Sequence, residues 1–343
     1  MAKKVAILGA GANGASIGVD LTKAGHDVVL IDQWPEHVQA MRERGARIEM
    51  PDETLVQKVR AYHLCDVCTF TEPFDAVLLL MKAYDSRWAC QLIEPYLKPD
   101  GLVAGVQNGM TTDVIADVVG PQRTMGCVIE VSSTMFDPGI VRRDSPPSRS
   151  WFAVGGIDSA TKGREAEIGD LLKCAGTVEY VEDIRASKWM KLVSNATTLV
   201  TTAILGQSIH DAATTAAMRD FMLRSGQEAL DVGKALNHPV VPIFGMKPDD
   251  VRHSNRLVET LLDTLVAGFT LKSTLTTVLQ DWMKGRHSEI DNLNGEVAAA
   301  ARRLGLSTPV NAAIVEVAHR IEKGTLKPNP WNLKLIQDLV DGR

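Results

Sequence analysis

Short apolar runs alternate with helical patterns along the first half of the chain. Apolar runs at residues 5–8, 27–32, 76–81, 102–106 and 124–131 predict strands. Helical patterns lie between them at about 15–24, 36–44 and 86–97. Strands that are apolar throughout and are separated by helices predict a mostly parallel sheet that is buried on both faces.

The pattern changes after residue 131. Turn signals such as Asp137-Pro138-Gly139 separate short β segments at 139–143 and 151–154, which predict a hairpin appended to the sheet. A helix over 160–174 and a strand at 178–181 complete this part of the chain.

From about residue 186 the strand signals stop and only helical patterns remain. Helices are predicted over 187–204, 211–236, 248–265, 274–284, 288–304 and 309–323. Ser288 and Thr308 stand at cap positions, and Gly305 and Gly324 follow the ends of the last two helices. The chain therefore divides into a Rossmann-type α/β domain over 1–185 and an all-α domain over 186–343, since 343 residues are many for one core.

Composition excludes several classes of function. A net charge of -5 with scattered basic residues gives no basic surface for nucleic acid. No apolar window is long enough to span a membrane, so we expect a cytoplasmic protein. The five cysteines form an odd, sparse set, and the lone pair Cys65 and Cys68 has no second ligand pair. We predict no metal site.

The segment GAGANG directly follows the first strand and opens a helix. In that context Gly9 permits a tight turn, Gly11 lets the backbone approach a pyrophosphate, and Gly14 allows close packing of helix on strand. The helix N-terminus, including Ala12 and Asn13, offers N–H groups to phosphate. We therefore predict a dinucleotide site, the alternative being a glycine-rich turn without a ligand.

Asp32 ends the second strand, 18 residues after Gly14. A carboxylate there can accept hydrogen bonds from the adenine-ribose hydroxyls and repels a 2′-phosphate, which favours NAD over NADP. The alternative is an aspartate that only forms a turn.

Polar residues follow two further strands and lie on one later helix. Lys82 and Asn108 come after the strands that end near residues 81 and 106, where ligands of open α/β sheets bind. The alternative for Lys82 is a lysine that is simply exposed, and the alternative for Asn108 is that it forms a tight turn with Gly109. Lys191 and Asn195 are four residues apart and share a helix face. Glu289 falls in the first turn of a predicted helix, where a carboxylate also complements the helix dipole.

These residues belong to segments that resemble the ketopantoate reductase (2-dehydropantoate 2-reductase) family along the whole chain. The matching segments are GAGANG, Lys82-Ala83, Gln107 to Met110, Trp189 to Asn195, Leu279 to Asp281 and Arg286 to Gly295. The resemblance implies reduction of a 2-oxo acid, with ketopantoate as the default substrate. It implies that Lys191 is the general acid and that Glu289 binds a substrate hydroxyl.

The resemblance also implies that Asn108 and Asn195 orient substrate and cofactor, and that Lys82 lies at the cofactor groove. Three positions depart from the family pattern. Asp32 stands where the family, which usually prefers NADP, tends to have a basic or neutral residue. Leu199 replaces a substrate-contacting asparagine, and Thr277 replaces a serine. Loss of an amide makes that wall less polar, so the substrate could be another 2-oxo or 2-hydroxy acid.

The leading hypothesis is thus an NAD(P)-dependent oxidoreductase for a 2-oxo acid/2-hydroxy acid pair. The alternatives are an NAD-preferring, catabolic dehydrogenase of a different 2-hydroxy acid, and a dehydrogenase of the 3-hydroxyisobutyrate or glycerol-3-phosphate type. A dinucleotide-sensing protein without turnover is the alternative outside enzymes. Apolar helix faces in the second domain are compatible with a homodimer or with the core alone.

Overall fold

The computed structural model describes residues 3–252 and 256–342. The chain forms two compact units, Met1–Arg185 and Ala186–Arg343, which are described separately.

The first unit is an α/β structure. Its strands are β1 (Lys4–Leu8), β2 (Asp27–Asp32), β3 (Ala46–Glu49), β4 (Thr54–Gln57), β5 (Arg60–His63), β6 (Phe74–Leu79), β7 (Leu97–Val106), β8 (Thr124–Glu130), β9 (Ser133–Thr134), β10 (Ile140–Arg143), β11 (Trp151–Gly156) and β12 (Thr177–Tyr180). Its helices are α1 (Ala12–Lys23), α2 (Pro35–Arg44), α3 (Ser86–Ile93), α4 (Thr112–Val119) and α5 (Ala166–Leu172).

Eight strands form the main sheet, in the order β12-β11-β8-β7-β6-β1-β2-β5. All neighbours are parallel except β8 and β11, which run antiparallel. Along β1, Val5 and Ile7 enter one core cluster while Ala6 and Leu8 enter another, so the sheet is covered on both faces. The predicted mostly parallel, buried sheet is confirmed.

A second sheet of four strands, in the order β4-β3-β10-β9, corrects the hairpin prediction. The segments at 139–143 and 151–154 are both strands, but β10 pairs with β3 and β9 whereas β11 joins the main sheet beside β8. Strands β3, β4 and β5 were not predicted from the sequence. These strands are four residues long and carry polar residues, so neither an apolar run nor a long alternation marks them.

Two helices of the first unit are shorter than predicted. The helix predicted over 86–97 ends at Ile93, because Pro95 lies in a 3-10 turn over Glu94–Tyr96 that leads into β7. The helix predicted over 160–174 is α5, which begins only at Ala166. A turn precedes it, in which the Thr161 hydroxyl accepts the N–H groups of Ile157 and Asp158.

The second unit is helical in all its described regular elements. They are α6 (Ile184–Leu205), α7 (Ile209–Thr214), α8 (Ala216–Ala235), α9 (Pro248–Arg252), α10 (Leu257–Gly268), α11 (Thr277–Met283), α12 (Asn294–Arg303), α13 (Pro309–Glu322) and α14 (Asn332–Val340). The helix predicted over 211–236 is two helices, and the one over 248–265 corresponds to α9 and α10, with residues 253–255 outside the described residues. Helix α14 was not predicted from the sequence.

The predicted helix start at Ser288 is wrong. Helix α12 begins at Asn294, after a 3-10 turn over Ile290–Asn292, so Glu289 precedes that turn and does not occupy a first helical turn. The Ser288 hydroxyl donates to Glu322. At α13, Thr308 is the N-cap residue as predicted, but its side chain makes no cap hydrogen bond, and Pro309 follows in the first turn.

Helix α6 is buried along nearly all of its length after Ala186. Four buried threonine hydroxyls donate to carbonyls one turn back, at Val193, Ser194, Thr197 and Thr198, over 2.6–2.9 Å. This bonding satisfies the hydroxyls within the helix itself. The helix can therefore contain many polar residues and still lie in a core.

Candidate active site

The glycine turn between β1 and α1 has no room for side chains at two of its glycines. Gly9 has a φ of +98°, its N–H donates to the Ile31 carbonyl at 2.9 Å, and a Cβ there would lie 2.6 Å from the Met81 nitrogen. A Cβ on Gly14 would lie 2.0 Å from the Gly9 oxygen. Both positions therefore require glycine for the fold itself.

Gly11 differs, because a Cβ there would meet nothing within 4 Å. It is the N-cap residue of α1 and has an ordinary φ of −63°. The protein does not need glycine here for packing, but a ligand that approaches the backbone closely would. The first turn of α1, with Ala12 and Asn13, presents N–H groups that have no acceptor within the helix. These features fit a bound pyrophosphate.

His37, which is fully buried on α2, holds the turn from below. Its Nδ1 accepts the Gly139 N–H at 2.9 Å, so its Nε2 carries the proton and donates to the Ala10 carbonyl at 2.8 Å. The Asn13 side chain likewise accepts a hydrogen bond from Ser133 on β9. Gly139, just before β10, thus supports the glycine turn through His37, and Ser133 of β9 supports the first turn of α1 directly.

Asp32 lies at the end of β2 and is buried. Its Oδ1 accepts the Trp34 N–H at 2.9 Å, which is the contact expected of an aspartate that forms a turn. Gly9 and Ala10 donate to the neighbouring Ile31 carbonyl, so Asp32 lies directly beside the glycine turn. A turn contact through one oxygen is compatible with ribose binding by the carboxylate.

Lys82 and Asn108 follow the neighbouring parallel strands β6 and β7 and therefore lie at one edge of the sheet. Gln107 connects the two loops, since its Nε2 donates to the Met81 carbonyl at 2.6 Å and its Oε1 accepts from Ser86 at 3.3 Å. Gly109 has a φ of +73°, which is typical of the Asn-Gly turn. We name Gly9, Gly11, Ala12, Asn13, Gly14, Asp32, Lys82 and Asn108 the cofactor residues.

Lys191, Asn195 and Leu199 follow one another at four-residue intervals on α6. Lys191 is 8% exposed and Asn195 is buried, while Leu199 is half-buried. The Lys191 Nζ lies 5.0 Å from the centroid of the Phe244 ring, a cation–π distance. Phe244 has a φ of +62°, and its ring lies against Phe269 with centroids 5.4 Å apart. A buried ammonium therefore lies beside an aromatic wall.

The start of α11 is attached to α6 at Leu199. The Thr276 hydroxyl donates to the Leu199 carbonyl at 3.1 Å and also caps α11 by accepting the Leu279 N–H. The next residue, Thr277, has a buried hydroxyl without a hydrogen-bond partner in the described part of the chain. A buried hydroxyl without a partner is costly, and a polar ligand would satisfy it.

Glu289 is buried and follows a reversal of the chain after α11. That helix ends in a Schellman motif at Gly285, in which the Arg286 N–H donates to the Asp281 carbonyl at 2.8 Å. The next residues reach Glu322 at the end of α13. Its Oε1 accepts the Ser288 N–H at 2.8 Å and the Ser288 hydroxyl at 2.7 Å. We name Lys191, Asn195, Leu199, Thr277 and Glu289 the substrate residues.

Two further contacts are made to the Glu322 carboxylate. His287 Nδ1 lies 3.1 Å from Oε2, and Trp282 Nε1 donates to Oε1 at 3.4 Å. Burial acts to raise the pKa of Glu322, but the hydrogen bonds from Ser288 and the charge of His287 outweigh it and hold the pKa below its usual value. Glu322 is therefore a carboxylate at neutral pH.

A second buried polar group stabilises α12 next to this segment. Asn294 Nδ2 donates to the Asn311 Oδ1 at 2.9 Å and to the Ala196 carbonyl of α6 at 3.2 Å. Asn311 in turn donates to Glu228 and to the Ser225 carbonyl. These bonds connect four helices of the second unit through polar side chains.

The Cys65–Cys68 segment forms a 3-10 turn with both cysteines exposed. Within residues 3–252 and 256–342, no three histidine, cysteine or acidic side chains are grouped as metal ligands. No helix among those residues is both long and apolar enough to cross a membrane.

Comparisons with known proteins cover most of the chain. The family model described as "Ketopantoate reductase PanE/ApbA" matches residues 5–155, and its C-terminal counterpart matches residues 183–322. The chain belongs to the ketopantoate reductase family. It is therefore an oxidoreductase of the class that acts on CH–OH donors, in a family that uses a nicotinamide dinucleotide.

Relatives align over nearly their full length. A 2-dehydropantoate 2-reductase of Lactococcus lactis subsp. lactis is 26% identical over 328 residues, which cover 93% of this chain and 98% of the relative. A PanE/ApbA family ketopantoate reductase from Ralstonia eutropha JMP134 has a TM-score of 0.76 at 27% identity, with 94% and 99% covered. A D-mandelate dehydrogenase solved with NADH and anilino(oxo)acetate has a TM-score of 0.81 at 21% identity, with 94% and 99% covered, and shows the shared fold.

Sequence reasoning missed four side chains that shape these sites. They are His37, Phe244 and Glu322, together with Gln107, which belongs to a matching segment but was assigned no role. His37 and Gln107 act by tertiary contacts that spacing does not reveal. Glu322 had one local signal, since an acidic residue at a helix C-terminus opposes the helix dipole and needs a compensating partner.

Proposed function

We propose that this protein reduces a 2-oxo acid to the 2-hydroxy acid with a nicotinamide dinucleotide, ketopantoate being the default substrate. The observation that carries the proposal is the buried Lys191 ammonium, which shares a helix face with Asn195. At the start of α11, which is bonded to the same helix, the Thr277 hydroxyl has no hydrogen-bond partner among the described residues. A buried cation among hydrogen-bonding groups suits a substrate that has both a carboxylate and a carbonyl.

In this mechanism Lys191 donates a hydrogen bond to the carbonyl oxygen at C2. The dinucleotide, when bound, supplies the hydride that the C2 carbon accepts. As negative charge develops on the oxygen, the Lys191 ammonium stabilises it and transfers a proton to it. The neutral amine then regains a proton from solvent. Asn195 and Thr277 orient the substrate by hydrogen bonds, and Glu289 binds a substrate hydroxyl.

The cofactor residues support the other half of the reaction. Gly11 leaves open space above the backbone, and α1 presents its N-terminal N–H groups at the same place. Lys82 and Asn108 lie at the edge of the sheet where cofactor and substrate bind in such folds.

Steady-state kinetics of the purified protein tests the reaction. Loss of reduced-nicotinamide absorbance is measured with NADH and with NADPH across a panel of small 2-oxo acids that includes ketopantoate. We expect turnover with at least one of them. Absence of turnover with every acid and both cofactors would contradict the proposal and favour a dinucleotide-binding protein without catalysis.

We also propose that NAD is preferred to NADP, because Asp32 places a carboxylate at the end of β2. Asp32→Asn keeps an oxygen that can accept the Trp34 N–H, so the turn is preserved while the charge is removed. The ratio of kcat/KM for NADH to that for NADPH should fall about tenfold in this variant. An unchanged ratio would show that Asp32 only forms the turn.

A second candidate, an oxidoreductase for a different 2-hydroxy acid, is favoured by Leu199 and Phe244. Both side chains are apolar. Leu199 shares a helix face with Lys191, and the Phe244 ring centroid lies 5.0 Å from the Lys191 Nζ. The substituent at C2 must lie near the ammonium that contacts its carbonyl. An apolar wall favours an apolar substituent over one that carries a hydroxyl, since it offers no partner for the hydroxyl.

One pair of substrates distinguishes the two candidates. Ketopantoate and 3,3-dimethyl-2-oxobutanoate differ only by one hydroxyl group. A preference for the deoxy compound of about tenfold or more in kcat/KM supports the second candidate, and Leu199→Asn should shift the preference back toward ketopantoate. A clear preference of the wild type for ketopantoate would leave the default substrate in place.

A further inference from the structure

We propose that Glu322 is a positioning residue for Glu289: it fixes the turn at Ser288 and so sets the place of the carboxylate that follows. The inference rests on the proposed function, because the role of Glu289 toward the substrate is part of that proposal. Glu322 itself need not contact the substrate.

The segment before Glu289 lies between two regular elements. Helix α11 ends in the Schellman motif at Gly285, and the next regular element is the 3-10 turn that begins at Ile290. Arg286 is tied to α11 through its N–H, but His287 and Ser288 lie between the two elements. A contact from outside the segment can therefore fix the backbone orientation of Ser288.

Glu322 supplies that contact with a single oxygen. Its Oε1 accepts both the N–H and the hydroxyl of Ser288, at 2.8 and 2.7 Å, while Oε2 lies 3.1 Å from His287. Two donors from one residue on one acceptor fix the direction of the peptide plane as well as its distance. The N–H belongs to the peptide between His287 and Ser288, so the two bonds fix that peptide and the Ser288 side chain. Glu289 is the next residue, and the chain enters it from this fixed point.

The location of Glu322 argues against a role in its own helix. It is the final residue of α13, where the negative end of the helix dipole disfavours a carboxylate. Elsewhere on the same helix, Glu316 forms an exposed pair with Arg320 four residues later. Glu322 instead directs both carboxylate oxygens toward the segment from Trp282 to Ser288. Its position is thus explained by the segment it holds.

The test compares Glu322→Ala with Glu322→Gln in the full chain. The alanine variant removes both acceptors, whereas the glutamine amide oxygen can still accept the two Ser288 donors and lacks only the charge. We expect Glu322→Ala to lower kcat for the 2-oxo acid about 100-fold, as a small displacement of a group that positions the substrate can do, with the Kd for NADH within about twofold of the wild type. Glu322→Gln should recover kcat to within about fivefold.

Two controls separate positioning from general damage. Glu316→Ala, on the exposed side of the same helix, should leave kcat unchanged. Hydrogen exchange at the Ser288 amide should be slow in the wild type and in Glu322→Gln but fast in Glu322→Ala. If Glu322→Ala does not fold, Ser288→Ala replaces it: this change removes the hydroxyl donor but keeps the N–H, and should lower kcat by a smaller factor with NADH binding intact.

Three results would overturn the inference: full kcat in Glu322→Ala, a Glu322→Gln variant as impaired as the alanine variant, or slow exchange at Ser288 without the carboxylate. Each leaves turnover in the wild type, and with it the proposed function, standing. Absence of turnover in the wild type would instead overturn the proposed function and the role of Glu289 with it.

Discussion

The two units of this protein differ in what their candidate sites are made of. The cofactor residues of the first unit depend mostly on backbone: three glycines, the N-terminus of a helix and the ends of parallel strands. The substrate residues of the second unit are mostly buried polar side chains on helices, held by hydrogen bonds such as those of Thr276 and Glu322. The first kind of site is specified by where side chains are missing, and the second by which side chains are present.

This difference determines how each unit should respond to mutation. A backbone site fails when a side chain intrudes, and failure follows from steric clash. A side-chain site fails when a hydrogen-bonding partner is lost, because the group left behind remains buried and unsatisfied. Substitutions in the two units test this difference, and we expect the greatest loss of stability where the first unit depends on a buried side chain.

Arg143 is a fully buried arginine in the first unit, whose candidate site otherwise depends mostly on backbone. It pairs with Asp20 on α1 and donates to the Ser145 and Ala175 carbonyls, both at 2.7 Å. Arg143→Met removes one partner of a buried pair and should lower the free energy of unfolding by about 3–5 kcal/mol. Denaturant unfolding at neutral pH measures the loss, with the exposed Arg44→Met as the matched control.

The same variant has a pH signature. Burial already raises the pKa of Asp20 above its ordinary value, even though the Arg143 guanidinium acts to lower it. Without Arg143 the pKa should rise further, and below it Asp20 is protonated and no longer leaves a bare charge in the core. The destabilisation should therefore be largest at neutral pH and shrink as the pH falls. A loss independent of pH would contradict this account.

Lys191→Met tests the side-chain site directly. Methionine keeps much of the length and removes the ammonium, so kcat should fall about 10³-fold, equal to about 4 kcal/mol, while NADH binding persists. Lys234→Met, at an exposed position on α8, is the matched control. Wild-type turnover in Lys191→Met would show that another group is the acid.

Gly14→Ala and Gly11→Ala test the backbone site of the first unit. A Cβ on Gly14 meets the Gly9 oxygen at 2.0 Å, so the variant should lose about 1–3 kcal/mol of stability. Gly11→Ala meets no protein atom within 4 Å and should fold normally, yet its Kd for NADH should rise about tenfold or more. Calorimetry of NADH binding and thermal unfolding separate the two. Equal NADH affinity in wild type and Gly11→Ala would argue against a dinucleotide at this turn.

Secondary structure could be predicted most accurately from the sequence where a single physical rule dominates. The apolar strands β1, β2 and β6 and the parallel sheet followed from burial on both faces, which leaves an unmistakable run of aliphatic residues. The short strands β3 and β4 could not be predicted in this way, because half-exposed strands of four residues resemble loops in sequence. The hairpin prediction failed for a related reason, since local turn signals do not say with which sheet a strand will pair.

The candidate site divides in the same way. The glycine turn and Asp32 could be predicted from their positions along the chain. Lys191 and Glu289 needed the family resemblance, because spacing alone does not distinguish a buried lysine from a surface one. Phe244 and Glu322 were predicted by neither, since each contacts its partner from a distant part of the chain.

The threonines of α6 have a consequence for how this enzyme could change over generations. Each buried hydroxyl is bonded within its own helix, so it requires no matching group on a neighbouring helix. Neighbouring side chains, including the one at position 199, can then be exchanged without leaving those hydroxyls unsatisfied. A helix of this kind can hold its lysine in place while the side chain at position 199 is altered, so one scaffold can come to accept a different substrate.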